Sequence, residues 1–200
     1  MLGRTHIVST TATGMLGLYG LHHAEQTMTT ETIGGKIVHS VIDIVGLKDL
    51  ADERSLLFIL LLCLTGLVVG SLLPDIDSKK SILGRYVPFL EGLIGHRTFT
   101  HTIWAVILMC VISYFSNLTI VWMIAFGYLL HVIQDSFSKQ GVAWLYPFGK
   151  GYRSYGYAKV KQGFHIPIYG VGSLTEEVIG FVMYVLNIWV LYKWGLIVFA

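Results

Sequence analysis

Charge is what this chain has least of: Asp, Glu, Lys and Arg make up 13% of its 200 residues, about half the share usual in soluble domains. With 54% of the residues hydrophobic, no polar shell can be assembled around the apolar ones, which excludes an ordinary soluble globule. Cysteine is nearly absent too. Cys63 and Cys110 lie inside apolar stretches and form no C-x-x-C pair, so neither a disulfide framework nor a zinc ribbon is available, and both read as core or lipid-facing residues. A signal-peptide core is missing, because THIVSTTATG after Arg4 is too polar and carries no A-x-A site. The N-terminus is therefore expected to persist in the mature protein. No internal repeat and no DNA-reading motif occurs, and no nucleic-acid partner is expected.

What is present is a set of membrane-length apolar runs. Ser55 to Leu73 has nineteen positions without a charge and contains Gly66-x-x-x-Gly70, a spacing that lets another helix approach closely. Thr98–Phe115 and Leu118–Gln134 are separated only by Ser116-Asn117, a turn signal, and read as a helical hairpin. Val178–Ala200 is a fourth run, and Lys193 within it can snorkel to an interface. Thr5–Gly20 is a shorter, threonine-rich fifth, which needs shelter from the other helices. Ile33–Val45 reads as an amphipathic surface helix, and Ser173-Leu-Thr-Glu176 as a capping box opening the last helix. SKQGVAWLYP at 138–147 reads as an interfacial turn, and 149–172 as an irregular loop. The expected fold is all-α: one membrane-embedded bundle over residues 1–200, with four to five transmembrane helices around a central hairpin.

If all five runs cross, ten of the fourteen basic residues fall on one side; only Lys36, Lys48, Arg54 and Lys193 fall on the other. The positive-inside rule puts the richer side in the cytoplasm. That side also gathers His6, Asp75 and Asp77 of LPDID, His96 and His101 of GHRTFTH, and His131 and Asp135 of HVIQD. His101 lies fifteen residues before Ser116 and His131 fourteen after Asn117, so both reach about the same depth. His131 and Asp135 are i,i+4 and share a helix face.

Each residue alone has a structural explanation: His6 in a polar helix start, His101 as a cap, Asp75 paired with Lys79 or Arg97. Seven at one level instead suit a site for a divalent transition metal, zinc foremost, with two or more ions. His22, His23 and His39 lie on the other side and read as surface residues.

In order and spacing, THIVS, LPDIDSKKS, GHRTFTHT and GYLLHVIQDSFSKQGVAWLYPF resemble the YdjM family over about residues 5–180. The resemblance implies a bacterial inner-membrane protein with metal-dependent hydrolase chemistry. The family's histidine and aspartate pattern falls on the same seven residues, and all are present. Departures lie outside that set: Ser138 stands where members often have threonine, and AWLYP at 143–147 where they have a PLLWP-like stretch. More distantly, the cluster is similar to that of helical zinc phospholipase C, an analogy only.

The expected function is a membrane-bound hydrolase of a phosphoester, lipids included, at the cytoplasmic face. Asp75 or Asp77 would bridge metals or act as base, and Arg97, with the basic 149–161 loop, would hold the anionic substrate. The rival readings are a non-enzymatic metal-binding scaffold or regulator, and a metal or proton transporter. A transporter needs polar residues continuing through the bilayer, whereas both hairpin arms are apolar beyond His101 and His131.

Overall fold

The computed structural model describes residues 3–47, 53–94, 99–139, 141–148 and 166–198. His96, Arg97 and the 149–161 loop lie outside them. The described residues form helices α1 (Gly3–Thr27), α2 (Ile33–Val45), α3 (Glu53–Leu72), α4 (Phe89–Ile94), α5 (Ile103–Ser116), α6 (Thr119–Ser136) and α7 (Leu174–Val198). Short 3-10 turns occupy Pro74–Asp77, Gly84–Tyr86 and Phe99–His101. No strand appears among the described residues, only an isolated bridge between Ser138 and Tyr169.

Helices α3 and α6 are in backbone contact. A Cβ on Gly70 would stand 2.2 Å from Ile124 O, one on Gly66 2.8 Å from Ile120 O, and one on Gly127 2.6 Å from Leu67 O. The Gly66/Gly70 spacing is therefore the groove that receives α6, and Gly127 completes it. Among the described residues, three helical segments are long and apolar enough to cross a membrane: Leu56–Asp77, Thr119–Ser136 and Leu174–Val198. The last has only 11% of its most apolar window buried and exposes Phe181, Val182, Val185, Ile188 and Trp189, a surface suited to lipid rather than water.

Two runs differ from expectation. The threonine-rich first one extends into a 25-residue helix, sheltered as its composition requires. Thr5, His6, Ser9, Thr10 and Thr11 are buried, and Thr11 Oγ1 donates to Ile7 O at 2.8 Å. Asn187 Nδ2 of α7 donates to Val8 O at 2.7 Å, and Trp194 Nε1 to Met15 O at 3.3 Å. The added length carries His22 against the Trp194 ring, 5.4 Å between centroids, so His22 is buried rather than a surface residue.

The run expected as a helix from Thr98 to Phe115 becomes α-helical only at Ile103, after the 3-10 turn at Phe99–His101. Thr102 caps it by accepting from Ala105 N at 3.3 Å, and Ile103 N donates to Trp144 O at 2.8 Å. That leaves fourteen helical residues, about 21 Å long. The hairpin turn falls where expected, with Asn117 left-handed at φ 50°.

The amphipathic helix has the expected bounds. Thr32 caps α2 by accepting from Gly35 N at 3.0 Å, and Gly46, at φ 74°, ends it. Ile42 and Leu47 are buried, and Thr119 Oγ1 donates to Gly46 O at 2.9 Å. This fixes α2 at the α6-start end of the bundle, away from His131 and Asp135. At the head of α7, Ser173 Oγ accepts from Glu176 N at 3.3 Å. The buried Glu176 carboxylate accepts from Gly172 N at 2.6 Å, one residue earlier than a capping box would have it.

Filling the α3–α6 groove should loosen the bundle. Gly70→Ala is expected to lose roughly 1–3 kcal/mol by overpacking and to melt earlier in detergent. Gly195→Ala, whose Cβ would meet nothing within 4 Å, should melt at least as high as the parent, because alanine favours a helix. Equal melting of the two variants would remove the groove from the account of stability.

Candidate metal centre

Pro74 ends α3 and turns the chain into a 3-10 helix at whose first position it sits, where its missing N–H is harmless. That turn presents Asp75 and Asp77. The 3-10 turn before α5 presents His101, α6 presents His131 and Asp135, and the start of α1 presents His6. One nitrogen or oxygen from each of Asp75, His101, His131 and Asp135 lies within 4.8 Å of the others. His101, His131 and Asp135 are fully buried, and the Asp75 side chain is 17% exposed.

The hydrogen bonds around the rings decide which nitrogens face inward. His131 Nδ1 lies 2.6 Å from Ser71 O, a carbonyl that only accepts, so the proton is on Nδ1. Thr100 Oγ1 donates to Asp77 Oδ2 at 2.5 Å and so accepts from His101 Nδ1 at 3.0 Å. Gln134 Nε2 donates to Thr10 Oγ1 at 3.2 Å, which turns Gln134 Oε1 to accept from His6 Nδ1 at 3.0 Å. All three imidazoles thus hold a proton on Nδ1 and direct Nε2 toward carboxylates.

Those inward distances are informative. His101 Nε2 is 3.5 Å from Asp75 Oδ1 and 3.6 Å from Asp135 Oδ2. His131 Nε2 is 3.6 Å from Asp75 Oδ1 and 4.0 Å from Asp135 Oδ2. Hydrogen bonds to nitrogen run about 2.7–3.2 Å, whereas two ligands of a tetrahedral transition metal stand about 3.4 Å apart. Among the described residues, His131 Nε2 is buried without a hydrogen-bond partner. The donor set, two imidazole nitrogens and two carboxylates, is one that zinc, manganese or iron accepts. The His/Asp cluster can hold a metal ion.

The remaining candidates flank this group. His6 stacks on His131 with ring centroids 3.7 Å apart and brings Nε2 to 3.2 Å from Asp135 Oδ1. Asp135 therefore faces His6 with one oxygen and His101 and His131 with the other. Asp77 lies on the outer side of His101, Oδ2 3.8 Å from Nδ1, in the place of a carboxylate that orients a ligand rather than one that binds. Asp75 turns to the two histidines, while Lys79 pairs with Glu91 at 3.8 Å.

Several supporting residues escape a search for ionisable types. Thr100 links Asp77 to His101, Gln134 links Thr10 to His6, and the Ser71 carbonyl anchors His131. Tyr128 Oη donates to Thr100 O, and Tyr169 Oη to Gln134 O at 2.6 Å. Gln134 alone carried a signal, a polar residue in an apolar helix. The stretch expected as an interfacial turn instead packs inward. Ser138, Val142 and Ala143 are buried, Ser138 Oγ donates to Asp135 O at 2.7 Å, and Trp144 Nε1 to Ser136 Oγ at 2.9 Å. It clamps the end of α6 on which Asp135 stands.

A family model described as YdjM inner membrane protein matches residues 1–199. The uncharacterized protein YvsG of Bacillus subtilis is 34% identical over 85 residues, 40% of this chain and 53% of that protein. Inner membrane protein YdjM of Escherichia coli is 28% identical over 136 residues, 61% of this chain and 63% of its own length, and the Shigella flexneri protein of that name matches to the same extent. The chain thus spans between about half and two thirds of these relatives. No solved structure matches. Its apolar helices and a family match over nearly its whole length make it a membrane protein, and the chain belongs to the YdjM inner membrane protein family.

Proposed function

We propose that this protein is a membrane-bound, metal-dependent hydrolase that cleaves a phosphoester, lipid headgroups included, at the cytoplasmic face of the bacterial inner membrane. The observation that carries the reading is the common orientation of three imidazoles, each with Nδ1 committed to a fixed acceptor and Nε2 turned to carboxylates. Asp75, His101, His131 and Asp135 would hold a first ion, zinc foremost, and His6 with the other Asp135 oxygen a second. A divalent ion held there supplies Lewis acidity toward a phosphoryl oxygen and makes a bound water acidic enough to ionise near neutral pH.

The chain's own groups then divide the remaining work. Asp75 is the carboxylate of the cluster that reaches the surface, which suits it to accept a proton from water. Asp77, buried and bonded to Thr100, is suited to orienting His101. Arg97 is proposed to contact the substrate's anionic group.

A second reading has an observation in its favour. His6, His101 and His131 are buried and come from three separate elements, so a bound ion would also staple α1, α5 and α6 together, as a scaffold needs.

Three outcomes follow. Thr100→Val leaves every proposed ligand in place but removes the acceptor for His101 Nδ1. Zinc affinity of the purified protein should fall about 10–100-fold, and His131→Ala should lose more. An unchanged Thr100→Val affinity would remove the relay from the site.

In a panel of phosphomonoesters, phosphodiesters and phospholipids, Asp75→Ala should abolish turnover. Arg97→Ala should lower turnover with full metal content and unchanged melting. If no substrate is turned over and chelation only lowers the melting temperature, the scaffold reading replaces the hydrolase.

On a background lacking Cys63 and Cys110, Lys79→Cys should resist a membrane-impermeant thiol reagent in intact cells, while Thr29→Cys reacts. The reverse pattern would move the site to the outer face.

A further inference from the structure

Among the described residues of the cluster Asp75 alone lines an open cleft, of about 320 Å³, whose other described walls are Gly3, Arg4, Leu72, Lys80, Ser81 and Ile82. Its position is set by the fold. Gly3 and Arg4 open α1, Leu72 ends α3, and Lys80 to Ile82 follow the 3-10 turn that carries Asp75. The walls pair two cations with one carboxylate, and apolar Leu72 and Ile82 with the Ser81 hydroxyl. The Arg4 side chain is 74% exposed and only 3.8 Å from Glu177, itself 60% exposed. That ion pair is weak and can yield to a stronger anion.

From this juxtaposition we propose that the cleft is the substrate pocket of the reading above, on which it rests, and that Arg4 and Lys80 hold a phosphoanion beside Asp75. The volume is at the small end of ligand sites: it takes a phosphate and a few further heavy atoms, so the rest of any lipid lies outside. An arginine fork and a lysine point charge are the usual phosphate partners. Asp75 would repel such an anion unless its charge is offset, so phosphate and metal binding reinforce each other. By linkage, phosphate must then raise zinc affinity by the same factor as zinc raises phosphate affinity.

The test measures zinc affinity of the full-length protein by calorimetry, with and without inorganic phosphate. It repeats the measurement in phosphatidylcholine nanodiscs with and without phosphatidate. In the parent, phosphate should tighten zinc binding. Arg4→Gln/Lys80→Gln should keep zinc affinity without phosphate and weaken phosphate binding about tenfold. Lys36→Gln, on α2, should behave as the parent.

Tightening by phosphate but not phosphatidate assigns the pocket to soluble phosphoesters, and tightening by both assigns it to lipid headgroups. Phosphate binding unchanged in the double variant, or absent from the parent, overturns the pocket even if turnover is found. A phosphate effect lost in the double variant, with no turnover of any substrate, keeps the pocket and sinks the hydrolase.

Discussion

Where Gly70 of α3 meets Gly127 of α6 there is no room for a methyl group, since a Cβ on Gly70 would lie 2.2 Å from Ile124 O and one on Gly127 2.6 Å from Leu67 O. That approach governs the site as well as the bundle. With the backbones this close, Ser71 O comes within 2.6 Å of His131 Nδ1 one residue beyond the contact, and fixes the tautomer. Four residues further on, Asp75 meets the same ring from the other side. A bulkier contact would separate both partners from His131. Shape complementarity between the end of α3 and the middle of α6 thus decides the chemistry beside it.

The other half of the arrangement is electrostatic. Carboxylates removed from water cost several kcal/mol each unless paired, and Asp77 and Asp135 are fully buried. The fold offsets that cost at Asp77 with an oriented donor, Thr100 Oγ1, but toward Asp135 the imidazoles turn the unprotonated Nε2, so a cation is what would offset the charge there. The fold also leaves Nε2 of His101 and His131 at metal-like rather than hydrogen-bond spacing from Asp75 and Asp135. Histidines oriented from behind, with Nε2 at that spacing from carboxylates, are what a bound cation requires.

Most of this was legible because the sequence repeats one device: apolar runs that end in His or Asp. The hairpin, the amphipathic helix and the level at which His101 and His131 meet follow from period, length and turn residues. The start of α5 was not legible. Apolarity continues through Phe99, while the helix waits for the Thr102 cap and for Trp144, a partner over forty residues away. Burial of His22 was hidden for a similar reason, since it depends on the tertiary position of Trp194. Thr100 and the Ser71 carbonyl have no signature of their own, and Gln134 shows only as a polar residue in an apolar helix, because their role exists only once three helices have met. The spacing did not separate Asp75 from Asp77, two residues apart on a turn. The 3-10 geometry sends one toward the inner nitrogens and the other behind His101.

The depth of polar groups bears on what such a site is for. On the α5–α6 hairpin, apolar residues take over beyond His101 and His131. On α1 the buried polar stripe runs through Ser9, Thr10 and Thr11, but Thr11 turns its hydroxyl back onto its own helix, and Ala12, Met15 and Leu18 follow in the core. A continuous path for ions would need polar partners at each successive turn, so a polar pocket confined to one end argues for chemistry at a surface rather than passage through the membrane. Between enzyme and staple, the open face is the discriminating feature. A structural ion is best served by four protein ligands, so an enzyme would require Asp75 to give up its place on the first ion to water or substrate. Here the carboxylate shared by His101 and His131 forms part of a cleft with Arg4 and Lys80, an opening that a staple does not require and a substrate does.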